Sequence, residues 1–251
     1  MLTDATHEAP AITRRGFIVT ALAAGAVALP IAGCSKGDGT ATGIEMDAHA
    51  GGDGSLPAPS PGDDEFGIDK AINMSTIDGW LDRDDVAYRD MRMLVDPADY
   101  ESIGGDSRIE AVIDGFRVVP YPLIGTLREL PVDGAYDGDR LYDVEWADDG
   151  SVTSAEPRYV ESEMVLEDLF PRDRAIFLMC GGGGYADMTR SLLSFLGWDD
   201  RLLYNVGGQW SYQGNRDTSL IRYTDDPDVE AYETWRADYA AIETSAMHPI
   251  G

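Results

Sequence analysis

Strand and helix patterns of apolar and polar positions alternate along the second half of the chain. Residues 175–180 (AIFLMC) form a continuous apolar run bounded by turn residues, which predicts a strand buried on both faces of a parallel sheet. Helical spacing of apolar residues precedes it in 163–170 and follows it in 186–198, and RLLYNVGG at 201–208 predicts a further strand. Strands that alternate with helices predict an α/β domain with a mainly parallel sheet.

The pattern is less regular before and after this region. VAYRDMRM at 86–93 and FRVVPYP at 116–122 predict strands. Within 125–165, two β-rich stretches flank Asp148-Asp149-Gly150, which is typical of a β-hairpin, and we interpret this segment as an insertion. WRADYAAIETSAM predicts a terminal helix, so we expect 226–251 to form a C-terminal helix and tail.

The N-terminal residues have the pattern of an export signal. Arg14 and Arg15 precede an uncharged apolar stretch that ends in small residues before Cys34. The paired arginines resemble a twin-arginine signal, and residues 31–34 resemble a bacterial lipobox, in which the cysteine is lipidated. We expect residues 1–33 to be cleaved and the lipid on Cys34 to anchor the protein at the outer face of the bacterial cytoplasmic membrane. The alternative is an uncleaved membrane anchor.

Composition separates a tether from the folded region. Residues 34–67 are rich in Gly, Ser, Pro, Ala and Asp and lack an apolar period. Such a composition buries too little apolar surface to offset the entropy of ordering. We therefore expect a flexible linker, followed by one domain at 68–225.

Charge and histidine positions exclude several classes of function. The chain has 46 acidic and 19 basic residues and a formal net charge of −27, so its surface repels nucleic acid. His7, His49 and His248 lie near the ends, away from the apolar core segments, which argues against a histidine-based triad or metal site. We expect neither a metal nor a cofactor.

Cys180 is the candidate reactive residue. If Cys34 carries lipid, Cys180 is the remaining free thiol, and it ends a buried strand directly before Gly181–Gly184 and a helix. Ligand crevices of open α/β sheets lie beyond the carboxyl ends of the strands. Backbone N–H groups of the loop and helix start favour a thiolate, the nucleophilic form, and can cradle an anion on the sulfur. The alternatives are a small core cysteine and a flexible glycine loop.

FLMCGGGGYADMTRSLLSFLGWDDRLLYNVGGQW resembles the second half of a rhodanese (sulfurtransferase) domain. That family has a strand, a catalytic cysteine on a six-residue loop, a helix ending in Leu-x-x-Leu-Gly, and a strand leading to Gly-Gly and Trp. VAYRDMRM resembles the family's strand with Asp-x-Arg, here Asp90 and Arg92. The resemblance covers about residues 72–214, interrupted at 125–165, and implies a central parallel sheet with helices on both faces.

The resemblance implies that Cys180 accepts a sulfane sulfur as a persulfide and passes it to a thiol or other nucleophilic acceptor. It implies that the loop amides stabilise the persulfide and that Asp90 and Arg92 support the loop and sheet. The loop lacks the basic residue of thiosulfate-using members, and Arg190 replaces it only if it points back to the loop. A phosphatase is disfavoured because its loop ends in Arg. The loop residues of this chain are Gly181, Gly182, Gly183, Gly184, Tyr185 and Ala186.

Two other functions are compatible with the sequence. One is a catalytically weak binding module of the same fold, which docks an unidentified partner protein or a small anion. The other is a solute-binding lipoprotein, disfavoured because the chain lacks a second lobe. A raised, thiol-like pKa at Cys180 would favour the binding module over the sulfurtransferase.

Overall fold

Residues 54–226 and 229–251, which the computed structural model describes, form ten strands and two α-helices. The helices are α1 (Ser162–Leu169) and α2 (Gly184–Phe195). The strands are β1 (Val86–Asp90), β2 (Ala111–Ile113), β3 (Arg117–Val118), β4 (Tyr142–Trp146), β5 (Val152–Pro157), β6 (Ala175–Cys180), β7 (Leu203–Gly208), β8 (Asp217–Ser219), β9 (Ile221–Tyr223) and β10 (Glu230–Tyr232).

The central sheet has four parallel strands in the order β3-β1-β6-β7. The fully apolar β6 lies between β1 and β7, as expected for a strand buried on both faces. In this register Asp90 pairs with Met179 and Cys180 pairs with Gly208, so the carboxyl ends of the three strands meet at one edge. The prediction of an α/β domain with a mainly parallel sheet is confirmed.

The two faces of the sheet bury different elements. Ile176, Leu178 and Cys180 of β6 share a core with apolar residues of both α1 and α2. Ala175, Phe177 and Met179, which point to the other face, pack with the 3-10 helix Ile77–Trp80 and its flanking chain. The expectation of helices on both faces is therefore corrected, because both α-helices cover one face.

The region 125–165 contains the predicted hairpin. Strands β4 and β5 pair antiparallel, and Gly150 in the turn between them has a positive φ of 81°. Tyr142 and Val144 are buried in the same core as α2, so the hairpin contributes to the main hydrophobic core.

The last residues of the predicted linker, 54–67, are ordered against the domain. The Gly62 N–H donates to the Ile68 carbonyl across 2.8 Å, and the Tyr204 hydroxyl donates to the Pro57 carbonyl across 2.7 Å. Leu56 also packs against buried core residues. The prediction of a flexible linker is wrong for these residues, because a few apolar anchors and backbone hydrogen bonds order a polar segment that composition alone assigns to a tether.

The predicted C-terminal α-helix is also wrong. Residues 229–251 contain β10 and two short 3-10 helices, Thr234–Arg236 and Thr244–Ala246. Between them the chain is extended and lies beside β3: the Val118 N–H donates to the Asp238 carbonyl and the Ala240 N–H donates to the Val118 carbonyl. The hydrogen bonds that this segment forms with the edge strand β3 replace those of the helix that the local sequence pattern predicts.

The predicted export signal at 1–33 and the lipidation site Cys34 lie outside the described residues. Among the residues that are described, no helix combines the length and the apolar character that crossing a membrane requires.

Candidate functional site

Cys180 lies at the floor of a cavity of about 150 Å³ beyond the carboxyl end of the central sheet. Its side chain is almost fully buried, with 3% exposure. The cysteine is the last residue of β6, so the rigid sheet fixes its position, and the glycine loop begins at the next residue. A thiol at this depth reacts only with molecules that enter the cavity.

The loop directs backbone N–H groups at the sulfur. The Gly183 N–H donates to Sγ of Cys180 across 3.0 Å. Gly183 has a φ of 109°, a left-handed conformation that side-chain-bearing residues rarely adopt, and α2 begins at the next residue. Burial raises the pKa of the Cys180 thiol above its ordinary value, while hydrogen bonds from the amides of Ala186, Gly183 and Tyr185 act to lower it.

Close packing requires glycine at Gly181 of the loop and at Gly208 of β7. A methyl group at Gly208 would overlap the backbone of Gly181, and one at Gly181 would overlap the indole ring of Trp210. The backbone N–H of Trp210 donates a hydrogen bond to the Gly181 carbonyl across 3.1 Å. The loop is therefore held between strand β7 and the Trp210 side chain, and it has no room for Cβ atoms there.

Asp90 and Arg92 lie beside the cysteine as a buried ion pair. Asp90 is fully buried, and its carboxylate accepts hydrogen bonds from Nε and Nη2 of Arg92, the shortest at 2.6 Å. Nη2 also donates to the Ala111 carbonyl across 3.0 Å. Although burial opposes the charged guanidinium, Asp90 raises the pKa of Arg92. Arg92 lines the cavity, so a permanent but neutralised cation stands near Cys180.

Arg190 turns away from the cavity. Its Nη2 donates to Oδ1 of Asp187 across 2.9 Å, and its Nη1 donates to the Gly67 carbonyl across 3.5 Å. It is not among the described residues that line the cavity. It therefore does not supply the positive charge that the glycine loop lacks, and it ties helix α2 to the segment before Ile68 instead.

Sequence reasoning missed several residues of the cavity wall. The Tyr185 hydroxyl donates to Oδ2 of Asp96 across 2.9 Å and lies 2.6 Å from the Tyr100 hydroxyl. Burial raises the pKa of both Asp96 and Tyr185. Arg128, from the region before β4, donates to Oδ2 of Asp187 across 3.2 Å. Asp96 and Arg128 lie in irregular segments and Tyr100 begins a short 3-10 helix, so no periodicity of the sequence indicates which way these side chains point.

The charged residues that line the cavity are unevenly distributed. Carboxylates come from four of them, and guanidinium groups come from two, Arg92 and Arg128. Three of the acids are exposed, whereas the fourth, Asp96, is buried. The acids are Glu65, Asp96, Asp106 and Glu129.

Comparison with protein-family models, curated proteins and solved structures finds no match to this chain. Within the described residues, no group of three or more His, Cys, Asp or Glu side chains could hold a metal ion. The reactive group of this site is one thiol in a cavity, facing backbone N–H donors. Such a group can form a covalent adduct whose negative charge the amides stabilise.

Proposed function

We propose that this protein is a rhodanese-like sulfurtransferase that carries a sulfane sulfur on Cys180. The observation that carries the proposal is the hydrogen bond from the Gly183 N–H to the Cys180 sulfur, at the closed end of a cavity. N–H groups that converge on a sulfur stabilise the negative charge of a thiolate and equally that of a persulfide. A cysteine that serves only to fill a core has no use for such donors or for a cavity.

In this mechanism the Cys180 thiolate attacks the outer sulfur of a donor R–S–SH. The bond between Cys180 and that sulfur forms as the sulfur–sulfur bond of the donor breaks, and R–S⁻ leaves and takes a proton. A thiolate acceptor then attacks the outer sulfur of the Cys180 persulfide and releases Cys180 as a thiolate. The two steps transfer one sulfur without net oxidation. An external acceptor is required because the one other cysteine of the sequence, Cys34, carries the lipid in this proposal.

The fold and the supporting residues favour this proposal. A central parallel strand ends at Cys180, and the neighbouring strand ends at Asp90, as the resemblance to rhodanese domains implies. The Asp90–Arg92 pair bonds to the Ala111 carbonyl and so connects the site to strand β2. In this proposal the protein acts at the outer face of the cytoplasmic membrane, held by a lipid on Cys34, because residues 1–34 have the pattern of a lipoprotein signal.

A catalytically weak binding module is the second candidate, and one observation favours it. Burial raises the pKa of the Cys180 thiol, so less of it is thiolate at neutral pH than in an ordinary cysteine. In that case the same cavity holds a partner segment or a small molecule without covalent chemistry.

Stoichiometric transfer distinguishes the two candidates. The full chain with Cys34→Ser, which keeps Cys180 as its one thiol, is treated with polysulfide, freed of donor, and mixed with a small thiol acceptor. The sulfurtransferase predicts about one sulfur delivered per protein and none from the matched Cys34→Ser/Cys180→Ser variant. Delivery of equal amounts by both proteins, or by neither, would overturn the proposal.

A further inference from the structure

The rim of the cavity over Cys180 is negatively charged. Glu65, Asp106 and Glu129 come from three separate segments of the chain, and all three line the cavity and are exposed. None of the three forms an ion pair with another described residue within 4.0 Å. An approaching solute therefore meets uncompensated negative charge before it reaches the sulfur.

Both guanidinium groups that line the same cavity pair with carboxylates, and Arg128 shares its partner Asp187 with Arg190. Arg92 holds the buried carboxylate of Asp90 at 2.6 Å, and Arg128 holds Asp187 at 3.2 Å. Arg128 also lies over the ring of Trp146, 5.9 Å from its centroid. Each guanidinium therefore already has a carboxylate partner, which weakens its attraction for the anionic group of a donor.

Four aromatic residues line the cavity. Tyr100 packs edge-on against Tyr185 with ring centroids 6.2 Å apart, and lies 5.8 Å from the ring of Trp210. Phe66 lines the cavity from the side of the ordered 54–67 segment. Faces of aromatic rings attract ammonium groups, and carboxylates nearby add to that attraction.

From this arrangement we propose that the cavity selects small organic persulfides that carry an ammonium group, in preference to anionic sulfur donors. The proposal rests on the sulfurtransferase function and names its substrate class. In this proposal the loop amides stabilise the transferred sulfur. The aromatic residues and the acidic rim bind the ammonium group of the donor. The leaving group is then an aminothiol, released after its sulfane sulfur has bonded to Cys180.

Charge selection is measured first with thiol reagents that need no sulfur transfer. The probes are 2-aminoethyl and 2-sulfonatoethyl methanethiosulfonate, cation and anion of similar size, applied to the full chain with Cys34→Ser. Each rate at Cys180 is divided by its rate with 2-mercaptoethanol. We expect the cation to exceed the anion by about tenfold or more, because several carboxylates act at short range in a partly enclosed site.

Matched variants assign the preference to the rim. Glu65→Gln, Asp106→Asn and Glu129→Gln together remove three rim charges, and we expect the cation-to-anion ratio to fall at least threefold. The control removes three exposed acids that do not line the cavity, Glu156, Asp168 and Asp200, as amides, with the same change in net charge. We expect it to change the ratio less than twofold. A normalised cation-to-anion ratio of about one in the parent Cys34→Ser chain would overturn the proposal. An equal fall of this ratio in the rim variant and in the control variant would also overturn it.

The substrate class is measured with the persulfides of cysteamine, 2-mercaptoethanol and thioglycolate, whose groups at the end away from the sulfur are positive, neutral and negative. Addition of one sulfur to Cys180 should be fastest from the cysteamine persulfide and slowest from the thioglycolate persulfide. The reverse order, with loading intact, overturns the substrate class and leaves the sulfurtransferase function standing. No loading from any donor, with selective methanethiosulfonate rates, overturns the sulfurtransferase function itself.

Discussion

The backbone N–H of Gly183 lies 3.0 Å from the sulfur of Cys180 and donates a hydrogen bond to it. This contact depends on a φ of 109° at Gly183, a backbone conformation that the loop needs in order to turn into α2. The same residue thus positions the donor and starts the helix. The glycine run is in this sense a structural requirement of the site and not a flexible connection.

Replacing Gly183 tests this relationship. Gly183→Ala should destabilise the protein by about 1–2 kcal/mol, because alanine is strained at a left-handed φ, and should slow persulfide formation as the N–H shifts away from the sulfur. Gly79→Ala is the matched control, since its added methyl group meets nothing within 4 Å. Urea unfolding and loading rates are measured for both. Equal behaviour of the two variants would contradict the account.

The pH dependence of Cys180 follows from its burial. Burial raises the pKa of the thiol, so the midpoint of its alkylation profile with iodoacetamide should lie above about pH 8.5, the midpoint for an ordinary thiol. The native Cys34→Ser chain is compared with the same chain unfolded in urea. A native profile that reaches its plateau at lower pH than the unfolded one would show a stabilised thiolate and contradict this prediction.

The same shift affects stability, with a definite sign. A thiol whose pKa is raised on folding stabilises the folded state fully below the unfolded pKa of about 8.5 and loses this contribution as pH rises through the folded pKa. The free energy of unfolding should therefore fall more steeply above pH 8.5 for Cys34→Ser than for Cys34→Ser/Cys180→Ser. Parallel curves for the two proteins would exclude a raised pKa.

Trp210 lines the cavity over Cys180, and we expect it to limit access to the cysteine. Its indole lies where Cβ atoms of Gly105 and Gly181 would be, and it packs on Tyr100. Trp210→Ala should open the cavity and increase the alkylation rate of Cys180 at fixed pH, whereas Trp210→Phe should preserve most of the cover. If both variants alkylate as slowly as the wild type, another group limits access.

The ion pair between Asp90 and Arg92 contributes to the free energy of unfolding of the protein. Removing one partner of a buried pair leaves an uncompensated charge, so Arg92→Met should lower the free energy of unfolding by about 3–5 kcal/mol. Arg201→Met, which breaks an exposed pair with Asp199, is the control and should leave the urea midpoint unchanged. A loss no larger than that of Arg201→Met would contradict this prediction.

Regular elements with strong local patterns were predictable from sequence. The apolar run 175–180 matches β6 residue for residue, and the helical spacing that begins at 186 falls in α2, which is followed by Gly197 with a positive φ of 88°. The hairpin turn at Gly150 also has the predicted glycine conformation. These features are decided by side-chain periodicity and by backbone conformations that need glycine, and both are visible within a few residues.

The cavity wall was not predictable, because it is made of contacts between distant segments. Tyr100 meets Tyr185, and Arg128 meets Asp187, across long separations in sequence. Arg190 carries the same charge as Arg128 but faces Gly67. Only the three-dimensional arrangement distinguishes these two arginines, and the same holds for the extended C-terminal chain that pairs with Val118.

The most direct test of the central claim is the intact mass of the full chain with Cys34→Ser after brief exposure to polysulfide. The account predicts a gain of about 32 Da, one sulfur, located on Cys180 and absent from Cys34→Ser/Cys180→Ser. No gain in mass, in a folded protein whose Cys180 still reacts with iodoacetamide, would contradict the sulfurtransferase and leave the cavity as a binding site.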